Sequence, residues 1–242
     1  MFGFEQFVAL NRRLSGLWRL AWLNILWIAV TVAGLGLVGF GPASYALAKY
    51  LHHWLRDGTT PPVAPTFFRY ARELRWHPVV MGAILLLAGA VILVNLLSLS
   101  DWYLRAANLA AAAVLWILGA YVFFVMAALD VTGIRAQLSS ALLLGVGSLH
   151  WTIIATTTVL VGYGLMLRFA APLLVMFGIA LPALVFAAVC RRILRDLEIS
   201  PEADPHPVLR VPAHPAERTD ASPPRPTKAA QRSSSLPKGT PA

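Results

Sequence analysis

The sequence predicts an all-α protein: a polytopic transmembrane helix bundle of five or six membrane helices, with cytoplasmic amphipathic connectors and a disordered C-terminal tail. Three observations carry that expectation. Of the 242 residues, 58% are hydrophobic and only 13% are charged, where soluble domains hold about half apolar and roughly a quarter charged residues. The charge is missing from whole stretches of about 20 residues, the length that crosses roughly 30 Å of hydrocarbon. Finally, ten of the 17 prolines fall between Pro201 and Pro241. A segment with so few large apolar residues cannot offset its ordering entropy by burial.

These observations divide the chain into a transmembrane helical domain over 1–199 and a basic, proline-rich tail over 200–242. The first apolar region, 17–40, opens as a good span with Arg19 at its edge. It then meets Gly34, Gly36, Gly39, Gly41 and Pro42, residues that weaken a helix. A short return arm over 43–55 follows, with Lys49, His52, His53 and Arg56 toward its end. Four later spans cover 79–99, 106–129, 151–167 and 169–190. The last holds Pro172 and Pro182, tolerable at membrane depth where neighbouring helices satisfy the freed carbonyls. Asp130 closes the 106–129 span as a helix-end charge. Between the arm and the second full span, residues 65–76 read as an amphipathic helix. Phe67, Phe68, Leu74 and Trp76 are expected in the interface while Arg69, Arg72 and Arg75 face lipid phosphates. A similar connector is expected over 133–149, which makes a faint internal repeat. Continuous apolar runs, not short alternating segments, speak against an outer-membrane barrel.

The charge of +9 clusters beside apolar spans, which favours topology-setting positive charge and disfavours a nucleic-acid partner. Two topologies compete. If one long helix runs through the glycines, five spans result and the termini face opposite sides. Lys49, Arg56, Arg69, Arg72, Arg75, Arg135, Arg191, Arg192 and Arg195 are then inside, and Arg12, Arg13, Arg19, Arg105 and Arg168 outside. If the chain turns back near the glycines, both termini are cytoplasmic and only Arg105 and Arg168 remain outside. The second arrangement fits the positive-inside bias better. Either way the C-terminus is expected in the cytoplasm. Ala46-Leu47-Ala48 has the form of a signal-peptide cleavage site, but the apolar run before it is too long and cleavage would expose the arginines that follow. Retention is expected.

The motifs that carry chemistry reduce to bland readings. Gly34-Leu35-Gly36-Leu37-Val38-Gly39 matches a dinucleotide fingerprint in letters only. No strand precedes it, so a helix break or close packing is expected. His52 and His53 point to different helix faces and lack further ligands at metal spacing. Cys190, beside Arg191 and Arg192, reads as a free interfacial thiol. No nucleophile–base pair, carboxylate pair or phosphate loop assembles, so neither catalysis nor a cofactor is expected. Asn24, Asn95, Thr156, Thr157 and Thr158 are the polar residues at depth. They serve either helix–helix hydrogen bonding or a polar substrate path.

Several stretches together resemble the YesL-like family of bacterial membrane proteins, a family of unknown function. They are the run Leu17-Trp18-Arg19-Leu20-Ala21-Trp22-Leu23-Asn24-Ile25-Leu26-Trp27, with Asn24 before an apolar-Trp stretch, the helix start Gly41-Pro42-Ala43-Ser44-Tyr45, the paired aromatics Phe67 and Phe68 followed by Arg69, Tyr70 and Trp76, and Arg135 with residues 139–144. The resemblance covers about residues 5–195. It implies a bacterial inner-membrane protein, often encoded beside carbohydrate-uptake genes, and no catalytic residues. On it rests the expectation of a non-enzymatic accessory component associated with carbohydrate uptake through an ABC-type importer, with the bilayer and sugar-transporter subunits as partners. The alternative is a membrane transporter or permease in its own right.

Overall fold

A computed structural model describes residues 4–58, 61–129 and 133–199. Asp130, Thr59, Thr60 and the tail lie outside the described residues. Among those described there are nine helices and no strand: α1 Phe4–Ala33, α2 Leu37–Asp57, α3 Val63–Glu73, α4 His77–Ser98, α5 Trp102–Ala128, α6 Ile134–Gly147, α7 Leu149–Phe169, α8 Ala171–Phe177 and α9 Ala180–Ile199. Four are long and apolar enough to cross a membrane (Leu14–Ala33 of α1, α4, α5 and α7), and the bent pair α8–α9 passes the same test when taken together, as a broken span or a re-entrant loop. The chain is an all-α bundle of the predicted class.

The glycine-rich stretch does break the first apolar region, over three residues. Leu35 and Gly36 take positive φ of 54° and 78°, and the Gly36 amide donates to the Thr31 carbonyl at 2.8 Å. Behind the turn α1 and α2 pack as an antiparallel hairpin. The Trp27 Nε1–H donates to Ser44 Oγ at 3.2 Å, and Gly16 lies beside the Trp54 ring. The return arm differs from expectation. It runs 21 residues, Leu37–Asp57, about 31 Å of helix, so Gly39, Gly41 and Pro42 sit inside a helix rather than before one. The reason is packing. Gly39 lies against the Val30 and Thr31 backbone, where any Cβ would collide. The close approach offsets the ~1 kcal/mol that glycine costs a helix.

With Lys49, His52, His53, Arg56 and Asp57 along it, α2 is not among the apolar spans, yet it forms the centre of the bundle. Ala43, Ala46, Leu47, Tyr50 and Leu51 are all buried, and α1, α3, α4, α5 and α9 surround it. The second correction concerns α3. Phe67 is fully buried, and Thr66 and Tyr70 are buried with it, whereas Phe68 and Trp76 are exposed. So Phe67 anchors α3 to the bundle instead of entering lipid. Lys49 pairs with Glu73 at 2.6 Å and lies over the Tyr45 and Tyr70 rings. Thus α3 folds back along α2 and delivers α4 beside the first turns of α2, where Gly41 meets Pro78 and Gly82. The third correction concerns 133–149. Here α6 is an apolar helix packed on α5 through Gly145 against Ile117 and Tyr121. Its one charged residue is Arg135.

Helices α4, α5 and α7 begin and end within a few residues of 79–99, 106–129 and 151–167, and 169–190 is divided between α8 and α9. The segments α8 and α9 meet at 56°. Asn95 bonded to Asn108 sets α4 and α5 antiparallel. Trp116 bonded to Thr156, with Tyr121 on Thr152, does the same for α5 and α7. Arg192 over Trp151 does so for α7 and α9. Asn24 meets Ile179 at the start of α9. Phe40, next to the end of α1, meets Phe123, two residues from the Tyr121 that packs on Phe186 further along α9. So α1 and α9 run the same way. The start of α1 and the end of α9 lie at opposite ends of the bundle, not at one end as the charge count favours.

Candidate functional site

The best-organised polar site is the break in the last span. Pro182 has no N–H to give the carbonyl four residues before it, that of Gly178. The Tyr163 hydroxyl of α7 donates to that carbonyl instead. Asn24 of α1 completes the break: its Oδ1 accepts from the Ile179 and Ala180 amides at 2.9 and 3.1 Å, and its Nδ2 donates to the Val175 carbonyl at 2.7 Å. Asn24 is 1% exposed. One amide side chain therefore caps the start of α9, where helix amides lack intrahelical partners, and holds the end of α8. In lipid an unsatisfied backbone group costs several kcal/mol, so Asn24 and Tyr163 are what permit a broken span here.

A second polar cluster lies at the junction of α6 and α7. The Thr152 hydroxyl donates to the Gly145 carbonyl at 3.0 Å, and Tyr121 OH pairs with the same hydroxyl at 2.9 Å. The Ser148 hydroxyl donates to the Leu144 carbonyl. These groups satisfy carbonyls where the ladder is interrupted.

Between α2, α4, α5 and α9 lies an apolar cleft of about 650 Å³. Phe40 and Leu47 come from α2, Leu93 and Leu96 from α4, and Trp116 and Gly119 from α5. The break forms its far wall through Tyr163, Ile179 and Pro182.

The sequence-selected residues do not converge on this cleft. Asn24 clamps the break. Asn95 donates to Asn108 at 3.3 Å near the α4–α5 loop. Thr156 accepts from Trp116 Nε1 at 3.1 Å. Thr158 bonds the Ile154 carbonyl of its own helix at 2.8 Å, and Thr157 is exposed. Asn24, Asn95 and Thr156 make their contacts at three separate places, and none of the five residues lines the cleft. Of the motif residues, Gly41 lies at the crossing of α2 and α4, Pro42 lies within α2, Phe67 is core and Phe68 faces outward. His53 pairs with Asp57 at 3.2 Å, and Cys190 is buried rather than interfacial. Sequence reasoning missed Ser44, Tyr121, Thr152 and Tyr163. For Tyr163 a signal existed: a lone tyrosine between Gly162 and Gly164 in one span, and an interior proline in the next.

Comparison with known proteins bears on the first four helices. Residues 20–96 match the family described as "Protein of unknown function, DUF624", a stretch that includes Asn24, Gly41, Pro42, Phe67 and Phe68. The chain is 33% identical over 78 residues to "Uncharacterized protein YteU" of Bacillus subtilis (strain 168), covering 32% of this chain and 35% of that one. It is 34% identical over 80 residues to "Uncharacterized protein YesL" of the same organism, covering 33% and 38%. The matched stretch thus spans little more than a third of the length of either curated relative. Arg135 and residues 139–144, also read as family-like, lie beyond it. No solved structure matches the chain. From residue 20 to residue 96, the chain shows the resemblance to the YesL-like proteins of unknown function that its residues suggested.

Proposed function

We propose that this protein is a non-enzymatic component of the bacterial inner membrane, its C-terminus in the cytoplasm, that serves carbohydrate uptake as an accessory of an ABC-type importer. The observation that carries the choice over an independent transporter is the dispersal of the polar residues at depth. A substrate path for a sugar needs converging hydrogen-bonding groups. Here Asn24, Asn95 and Thr156 are spent on backbone and side-chain contacts at three separate places, and the cleft between α2, α4, α5 and α9 is apolar. Sugar chemistry is thereby assigned to a partner. The docked helix α3 supports a partner-binding role: it is anchored by Phe67 and presents Phe68, Arg69 and Arg72 outward, with Trp76 exposed in the turn that follows. Arg191, Arg192 and Arg195 near the end of α9 support the cytoplasmic C-terminus.

The test is affinity capture of the full chain from membranes in mild detergent, with identification of what co-purifies. Subunits of a sugar importer are expected, and they should be lost when Phe68, Arg69 and Trp76 are replaced by Ser. Recovery of the chain without any transporter subunit, together with sugar uptake by vesicles holding this chain alone, would transfer the activity to the chain itself.

A further inference from the structure

Small residues in a membrane bundle ordinarily bring two backbones together, as Gly41 and Gly82 do at the crossing of α2 and α4. The small residues on the cleft wall do the opposite. A Cβ placed on Gly119 meets no atom within 4 Å, and one on Gly89 reaches only Leu115 Cδ2, at 3.5 Å. With Ala112 and Ala120 they hold open a space of about 650 Å³, well inside the ~300–1,000 Å³ range of ligand sites. The polar groups on the wall are already engaged within the protein: Trp27 Nε1 on Ser44, Trp116 Nε1 on Thr156, and Tyr163 OH on the Gly178 carbonyl. The surroundings select an apolar chain.

One end of the cleft lies close in sequence to polar residues. Leu96 and Ala112 line it there. Asn95 adjoins Leu96, and Asn108 stands one turn before Ala112, the two bonded at 3.3 Å. Just beyond, Arg105 is exposed and uses its Nε–H on the Leu99 carbonyl at 2.7 Å. The neighbouring Asp101 carboxylate caps α5 by accepting the Leu104 amide at 3.0 Å. An exposed guanidinium about two helical turns from Ala112 on α5 complements a phosphate, and the loop between two spans is where lipid headgroups lie.

We propose that the cleft is a lipid site that takes one acyl chain of an anionic glycerophospholipid from the surrounding bilayer, its phosphate held at Arg105. The site follows from the membrane bundle and is independent of the importer assignment. The full chain is purified in mild detergent, and its retained lipid is extracted and quantified by mass spectrometry. Gly119→Phe fills the open space, and Gly164→Phe, exposed on α7, not among the lining residues and also with nothing within 4 Å, serves as control. Retention is expected to fall about tenfold in Gly119→Phe and to stay unchanged in Gly164→Phe. Arg105→Gln should shift what is retained from anionic toward zwitterionic lipid. Equal retention in all variants, or no lipid above a detergent blank in the wild-type chain, overturns the proposal. A photoactivatable phospholipid crosslinked to the wild-type chain gives a readout free of any folding defect. Label is expected on 89–96 or 112–124, and label elsewhere only also overturns it.

Discussion

At the scale of single residues, two side chains decide whether the last span can be broken. Pro182 removes one hydrogen bond and Tyr163 restores it from another helix, a substitution of donor that leaves the Gly178 carbonyl satisfied. Tyr163→Phe should cost roughly 0.5–1.5 kcal/mol in the wild-type chain, the usual net worth of a hydrogen bond. In a Pro182→Ala background it should cost almost nothing, because the new amide reaches the same carbonyl along the helix. Thermal unfolding of the four proteins in detergent measures the coupling. Equal costs in both backgrounds would mean that the tyrosine acts through packing alone. Asn24 was legible in the sequence as a polar residue at depth, but its partners were not. They lie more than 150 residues away, and an amide written in a sequence carries no pointer to the backbone it will cap.

At the scale of helices, glycine has two opposite uses in this bundle. Gly41 and Gly82 allow α2 and α4 to touch backbone to backbone, and a Cβ on Gly41 would fall on the Pro78 carbonyl. Gly41→Ala should therefore cost ~2 kcal/mol or more by overpacking. Gly164, inside α7 and facing open space, should gain about 0.5–1 kcal/mol on replacement by Ala, through helix propensity alone. Melting temperatures and the yield of monodisperse protein compare the two. Similar shifts for both would show that the crossing is not as close as described. The sequence marked the glycines as a break or a packing surface, and both readings hold, at different members of one run. Gly36 makes the turn, and Gly39 and Gly41 make the contacts. The letters could not divide those duties, because the division depends on which helix arrives opposite each residue.

At the scale of the whole molecule, the direction of each helix follows from its cross-helix contacts. The return of α3 along α2 changes the parity of the chain. The start of α1 and the end of α9 then lie at opposite ends of the bundle. In a Cys190→Ser background, single cysteines at positions 5 and 199 should thus be reached from opposite faces. A membrane-impermeant maleimide should label only one of them in intact cells, and both after permeabilisation. The cytoplasmic C-terminus proposed above makes position 5 the one labelled. If both or neither react in intact cells, the two ends share a face, as the charge bias alone favours.

What the sequence by itself determined is the class of the protein and the apolar runs that form its long helices. Those properties rest on local quantities: the length of each apolar run, the charges that flank it, and the cost of leaving backbone groups unpaired in lipid, which forces helices. The membrane makes such local signals unusually decisive, since a 22-residue run such as α4 has few other structures open to it. Tertiary structure decided the rest. It sent the polar α2 to the centre, turned Phe67 inward, set Asn24 and Tyr163 on a break far along the chain, and left a hollow beside Gly119 where small residues elsewhere close one. Each of these depends on which helix faces which. Among apolar helices of similar composition that choice is made by shape and by a few long-range hydrogen bonds, neither of which is written in any single stretch of the chain.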